Sequence, residues 1–111
     1  VKEKRRYKRR FISLNVEYDI SSDQRWLESQ TKDIGAGGIC LITTSPILVG
    51  KEVDIKFHIP DEQKPVKVVG RIVWNEGKEG SFYNGIQFIR INDSDRELIG
   101  KFVDSATFER R

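Results

Sequence analysis

The first ten residues, Val1 to Arg10, carry seven cations (Lys2, Lys4, Arg5, Arg6, Lys8, Arg9, Arg10) against one acid, Glu3. The whole chain has 20 Lys and Arg and 17 Asp and Glu, so residues 11–111 keep 13 basic and 16 acidic side chains. The positive field is therefore concentrated at one end of a slightly acidic body, where it steers an anionic partner. Four of the seven cations are Arg, whose planar fork grips phosphate or the O6 and N7 edge of guanine at two points, whereas Lys offers a point charge. The plain alternative is a basic arm that serves solubility or loose nucleic-acid contact. Against it, the run passes without Pro or Gly into the alternating segment Ile12, Leu14, Val16, Tyr18, which tethers the arm to a strand.

A second cluster is Asp33-Ile34-Gly35-Ala36-Gly37-Gly38, with three glycines in four positions and a sharp bend implied. It is not a triphosphate loop, because the Gly-Lys pairs at 50–51, 77–78 and 100–101 are followed by Glu52, Glu79 and Phe102. Metal centres and most general-base mechanisms need convergent His, Cys or carboxylate groups. One His and one Cys are present, so we expect no catalytic residue, no metal and no cofactor. His58 reads as a solvated strand residue, Asp61 and Glu62 as a solubilising loop, and Cys40 as lacking a base nearby in sequence.

The elements that must position these groups are strands. At 111 residues, with 37% hydrophobic and 33% charged, the chain fits one domain with a modest core. No apolar run approaches the ~20 residues of a membrane helix and no signal peptide is visible. The lone Cys40 makes no internal disulfide and suits a reducing, cytoplasmic setting. Beginning at Val1 and ending amid charge, the chain is compatible with a domain cut from a longer protein. Period-two patterning predicts strands over Ile12–Tyr18, Trp26–Ile34, Ile39–Ile42, Val53–Ile59, Val66–Trp74 (with a bulge or close approach at Gly70) and Tyr83–Ile91. Six short strands with turn signals between them imply a small antiparallel β-barrel. From Ser94, with Glu97 as a capping box, Leu98, Ile99, Phe102, Val103 and Ala106 recur at helical spacing. The expected architecture is a basic arm over 1–11, then a six-stranded barrel over 12–111 closed by a C-terminal helix at about 93–107.

Arg5-x-x-x-Arg9, then a strand, then an Asp-x-x-x-x-Gly turn formed by Asp33 and Gly38, resembles the PilZ domain, a bacterial receptor module for cyclic di-GMP. Gly70-Arg71-Ile72-Val73-Trp74, Asn84-Gly85-Ile86-Gln87-Phe88 and the closing helix look like further landmarks of that family. The resemblance implies cyclic di-GMP as ligand, held by Arg5, Arg9, Asp33, Gly35 and Gly38, with Lys4, Arg6, Arg10 and Gly37 as flanking candidates. Arg6-x-x-x-Arg10 is an alternative register for the arginine pair. The family pattern has Ser where this chain has Gly35; one neutral hydrogen bond lost corresponds to about tenfold in affinity at most.

The residue chemistry suits that ligand. Guanidinium groups take phosphate oxygens or stack on purines, and Asp33 accepts from guanine N1–H and the 2-amino group, a pattern adenine lacks. The leading expectation is a receptor whose arm is mobile when empty, folds over the nucleotide and reports to an unidentified downstream partner. The implied state is a monomer or weak dimer. Two alternatives are a degenerate PilZ-like domain that binds only protein, and a small barrel that binds nucleic acid. The latter would use Trp26, Trp74 and Tyr83 for stacking, but aromatics are more commonly buried and the acidic body offers no extended basic track, so no nucleic-acid partner is expected.

Overall fold

Branched aliphatic residues at every second position leave each strand one face to bury, and the chain satisfies them all by rolling one sheet shut. Residues 7–20 and 25–109 are described by the structure, a computed structural model, with side chains described as far as residue 105. Among them are seven strands, β1 (Arg9–Phe11), β2 (Asn15–Asp19), β3 (Leu27–Gly35), β4 (Gly38–Thr43), β5 (Glu52–Phe57), β6 (Val66–Lys78) and β7 (Ser81–Arg90), and one helix, α1 (Asp93–Glu109). All pairings are antiparallel. The order β3-β2-β5-β6-β7-β4 returns to β3 through the β3–β4 pairing, so six strands close a barrel and β1 adds to the end of β3. The interior is filled by residues such as Val16, Ile34, Ile39, Leu41, Ile55, Val66, Ile72 and Ile86, and Ile99 and Val103 of α1 join the same cluster.

The first strand, predicted over Ile12–Tyr18, begins only at Asn15, and the end of the expected arm, Arg9–Phe11, is itself a strand. Phe11 pairs with Asp33 and Asn15 with Gln30, so residues 12–14 face only residues 31 and 32. The extra residue is absorbed by Thr31, 1% exposed, whose Oγ1 donates to the Ile12 carbonyl at 2.7 Å and accepts the Leu14 N–H at 3.0 Å. A side chain thereby supplies bonds that the strand ladder cannot. Strand β6 is longer than its apolar pattern, continuing through polar Asn75–Lys78 because it stays paired with β7 down to Lys78–Ser81. Its register shifts beside Gly70, as the sequence suggested, and again between Ile72 and Trp74.

Helix α1 starts one residue earlier than its expected cap. Asn92 fills that position, its Oδ1 accepting the Asp95 N–H at 2.8 Å and the Ser94 hydroxyl at 2.9 Å, while Ser94 lies inside the first turn.

The connection between β4 and β5 is held by Asn84, 0% exposed. Its Nδ2 donates to the Leu41 carbonyl at 3.1 Å and to Thr43 Oγ1 at 2.9 Å, while its Oδ1 accepts the Ile47 N–H at 3.4 Å. Asn75 Nδ2 donates to the Ile47 carbonyl at 2.6 Å from the other side. Removing a buried amide of this kind strands several partners, each at about 1–3 kcal/mol when fully unsatisfied. Asn84→Ala is expected to lower stability by about 2–3 kcal/mol, read as a fall in the urea midpoint at unchanged slope.

Candidate functional site

Strand alternation decides which side chains meet on the outer face. Arg9 pairs with Gly35 and Phe11 with Asp33, so these four share the side that points away from the core, and Arg10, opposite Ile34, points the other way. Arg9 Nη2 donates to Asp33 Oδ1, and the two side chains are 21% and 12% exposed. Arg9 Nε is buried with no hydrogen-bond partner.

The hairpin beside this pair is built for close approach. Gly35 and Gly38 pair across a two-residue turn, and the Gly37 carbonyl accepts the Phe88 N–H at 2.8 Å, which ties the turn to β7. None of these glycines has positive φ. Their role is steric: a Cβ on Gly35 would lie 2.6 Å from the Lys8 carbonyl, one on Gly37 would lie 2.7 Å from Tyr7 Cδ2, and one on Gly38 would strike the Ile86 carbonyl. Gly35 is thus more than a serine hydroxyl lost, because a side chain there would displace residue 8.

Cross-strand register extends the site into a row that single motifs did not reveal. Phe11 pairs with Asp33, Asp33 with Cys40, Cys40 with Gly85 and Gly85 with Trp74. The two end members are exposed, Phe11 at 74% and Trp74 at 45%. The Trp74 indole lies over Gly85 so closely that a Cβ there would overlap it. Lys32, beside Asp33, adds a cation whose Nζ sits 5.1 Å from the Tyr83 ring centre. Trp26, Trp74 and Tyr83 are not core residues as expected; Trp26 and Trp74 are more than a third exposed and Tyr83 is half-buried. The signal for Trp74 and Cys40 was their period-two phase, but phase across strands needs a register that only the folded sheet provides.

Of the expected site residues, Arg9, Asp33, Gly35, Gly37 and Gly38 come together. Arg10 is turned to the helix, where its Nη1 donates to the Phe102 carbonyl at 3.0 Å and its guanidinium lies 4.2 Å from the Phe102 ring centre. Lys4, Arg5 and Arg6 lie outside the described residues. His58 is exposed, and among the described residues no group of three or more His, Cys, Asp or Glu could hold a metal ion. No helix among them is long and apolar enough to cross a membrane.

Cys40, 2% exposed, has its thiol pushed up from 9.0 to about 11, first by burial and then by the Asp33 carboxylate. The thiol ionises more readily in the unfolded chain, so its contribution is intact below pH 9 and is lost as pH rises towards about 11. Tyr18, raised above 10.0 by burial, pulls the same way. Denaturant titrations should show stability falling through this alkaline window, and Cys40→Ala should flatten the fall between pH 9 and about 11.

The same barrel occurs in solved structures. The inhibitor of motility MotI/DgrA of Bacillus subtilis superposes with a TM-score of 0.88 at 14% identity, over 98% of this chain and 54% of that one. The PilZ domain of Escherichia coli YcgR with c-di-GMP gives 0.75 at 14% identity, over 98% and 95% of the two chains. The K. pneumonia MrkH–c-di-GMP complex gives 0.74 at 16%, over 98% and 54%. The chain thus spans about half the length of MotI/DgrA and of MrkH. No curated protein sequence matches it at a significant level. At these low identities the superpositions establish the fold alone. The PilZ domain family profile matches residues 3–105, nearly the whole chain, and carries the arm, the Asp33–Gly38 hairpin, the barrel and the helix together: the chain belongs to the PilZ domain family.

Proposed function

We propose that the chain is a cyclic di-GMP receptor and adaptor domain that takes the nucleotide on the outer face around Arg9 and Asp33. The observation that carries this reading is the Arg9–Asp33 pair beside a hairpin with no side chains at 35, 37 and 38. One terminal nitrogen of Arg9 is engaged and its Nε has no partner, so the guanidinium has donors in hand for a phosphate. Asp33 supplies the acceptor that suits guanine N1–H and the 2-amino group. Phe11 and Trp74, at opposite ends of the row, offer two exposed aromatic surfaces for the bases. Four strand spacings separate them, roughly 19 Å along the sheet, which accommodates a cyclic dinucleotide lying across the strands. Family membership and the c-di-GMP complexes of YcgR and MrkH support the same ligand.

In this reading Arg5 is the second guanidinium, delivered by the arm. Tyr7 packs against Gly37, and Arg9–Phe11 pair with β3, so the segment from Tyr7 onward serves as the arm's anchor on the barrel. Occupancy is then reported to a protein partner.

Calorimetric titration with cyclic di-GMP tests the proposal, and absence of heat at about 100 μM ligand would remove it in favour of a domain that binds only protein. Arg9→Ala is expected to weaken binding by about 2–5 kcal/mol, because a desolvated charge pair with phosphate is lost. Asp33→Ala is expected to erode the preference over cyclic di-AMP. Arg10→Ala should leave affinity within about threefold and lower stability by about 1 kcal/mol, since its bond goes to the helix. Equal losses of affinity from Arg9→Ala and Arg10→Ala would contradict the assignment.

A further inference from the structure

A separate cavity of about 780 Å³ lies between the β5–β6 face and the start of α1, and it shares no residue with the row from Phe11 to Trp74. Four cations line it, Lys56, Lys67, Arg90 and Arg96, against one acid, Asp54. That bias is unusual on a body that carries more acid than base outside its first ten residues. Lys56 and Lys67 are direct cross-strand partners, and like charges placed opposite each other destabilise a sheet. Lys56 is partly relieved by Glu17 at 3.4 Å and by the Trp26 ring at 4.6 Å, and Arg90 by Glu52 at 3.4 Å. Among the described residues Lys67 has no ion pair, and Arg96 Nε is buried without a hydrogen-bond partner. Trp26 stands 39% exposed at this cavity, where Val69, Ile89 and Ile91 add apolar surface.

We infer that this groove docks an acidic segment of a partner protein, with carboxylates meeting Lys67, Arg90 and Arg96 and an apolar or aromatic side chain seated against Trp26. The charge pattern favours that occupant. An arriving carboxylate removes the Lys56–Lys67 repulsion and satisfies a guanidinium that the fold leaves short of acceptors. A bare small anion would not use the apolar wall, and a basic or neutral segment would leave the repulsion in place. The inference stands apart from nucleotide binding, since it needs neither Arg9 nor Asp33.

The test titrates the full chain, without nucleotide, with a synthetic peptide in which glutamates alternate with phenylalanine and leucine, following backbone amide shifts by NMR. Shifts are expected at Trp26, at Lys67–Val69 and at Ile89–Asn92. Combining Lys67→Glu with Arg90→Glu, both exposed positions, should weaken binding by at least about tenfold while the amide spectrum away from the groove stays that of the folded barrel. Lys67→Ala alone, which breaks no ion pair seen in the fold, gives a milder version of the same comparison, and Trp26→Ala should weaken binding as well. The inference is overturned if the peptide fails to bind, if an all-glutamate peptide binds as tightly, if the charge variants bind unchanged, or if the shifts fall at residues 7–11 and 33–38 with none at the groove amides. Self-association through the groove amides in the absence of peptide would overturn it too, making the surface a contact between copies.

Discussion

Two backbone carbonyls and an aromatic ring converge on the Gly35–Gly38 hairpin, and most of the architecture follows from the room they need. The Lys8 carbonyl approaches Gly35 from the arm, Tyr7 lies on Gly37, and the Ile86 carbonyl of β7 sits where a Cβ of Gly38 would be. Side chains at any of these positions would push one partner away. With none there, β4 pairs with both β3 and β7 and the sheet closes, leaving no open edge along the barrel. The same closeness draws Arg9 onto β3 opposite Gly35, within reach of Asp33. Closure of the fold and assembly of the candidate site are thus one event.

Once closed, the barrel separates two tasks by the phase of its strands. Inward positions hold aliphatic side chains and stabilise through burial. Outward positions on β1, β3, β4, β7 and β6 hold Phe11, Asp33, Cys40, Gly85 and Trp74, a mixture that would make a poor core. A partly buried ion pair such as Arg9–Asp33 adds little net folding free energy, because desolvation offsets most of the attraction. Its effect is better described as orientation: it fixes β1 on β3 and holds a guanidinium over a surface of small residues.

How much of this was legible in the sequence depends on whether a feature is local. Strand phase, the helix and the glycine hairpin follow from spacing along the chain, and Arg9 and Asp33 stood out as candidates because each sits in a recognisable local motif. The break at residues 12–14 was not legible, since the alternation Ile12, Leu14, Val16, Tyr18 is perfect and only the partner strand reveals that three residues face two. Nor was the helix cap, because Asn92 and Ser94 both suit that role and the chain exit from β7 selects Asn92. Trp74 and Cys40 were visible as residues and invisible as neighbours of Asp33; their place in the row is set by register across four strands. Arg10 illustrates the reverse, a residue whose type fitted the site and whose phase sends it to α1.

That phase gives the arm a second face. Arg9 lies over Asp33, while the adjacent Arg10 bonds the Phe102 carbonyl and Lys8 comes within 3.7 Å of Asp104. Tyr7 lies on Gly37 and 5.7 Å, measured from its ring centre, from the Arg96 guanidinium, which also lines the basic groove. Neighbouring residues of one strand cannot move independently. A ligand that draws Arg9 away from Asp33 therefore disturbs the Arg10 and Tyr7 contacts with α1, and a partner that draws Arg96 into the groove disturbs Tyr7 and the hairpin beneath it. Each would act on the same short strap from opposite sides, and any resulting change in affinity must then be equal in both directions.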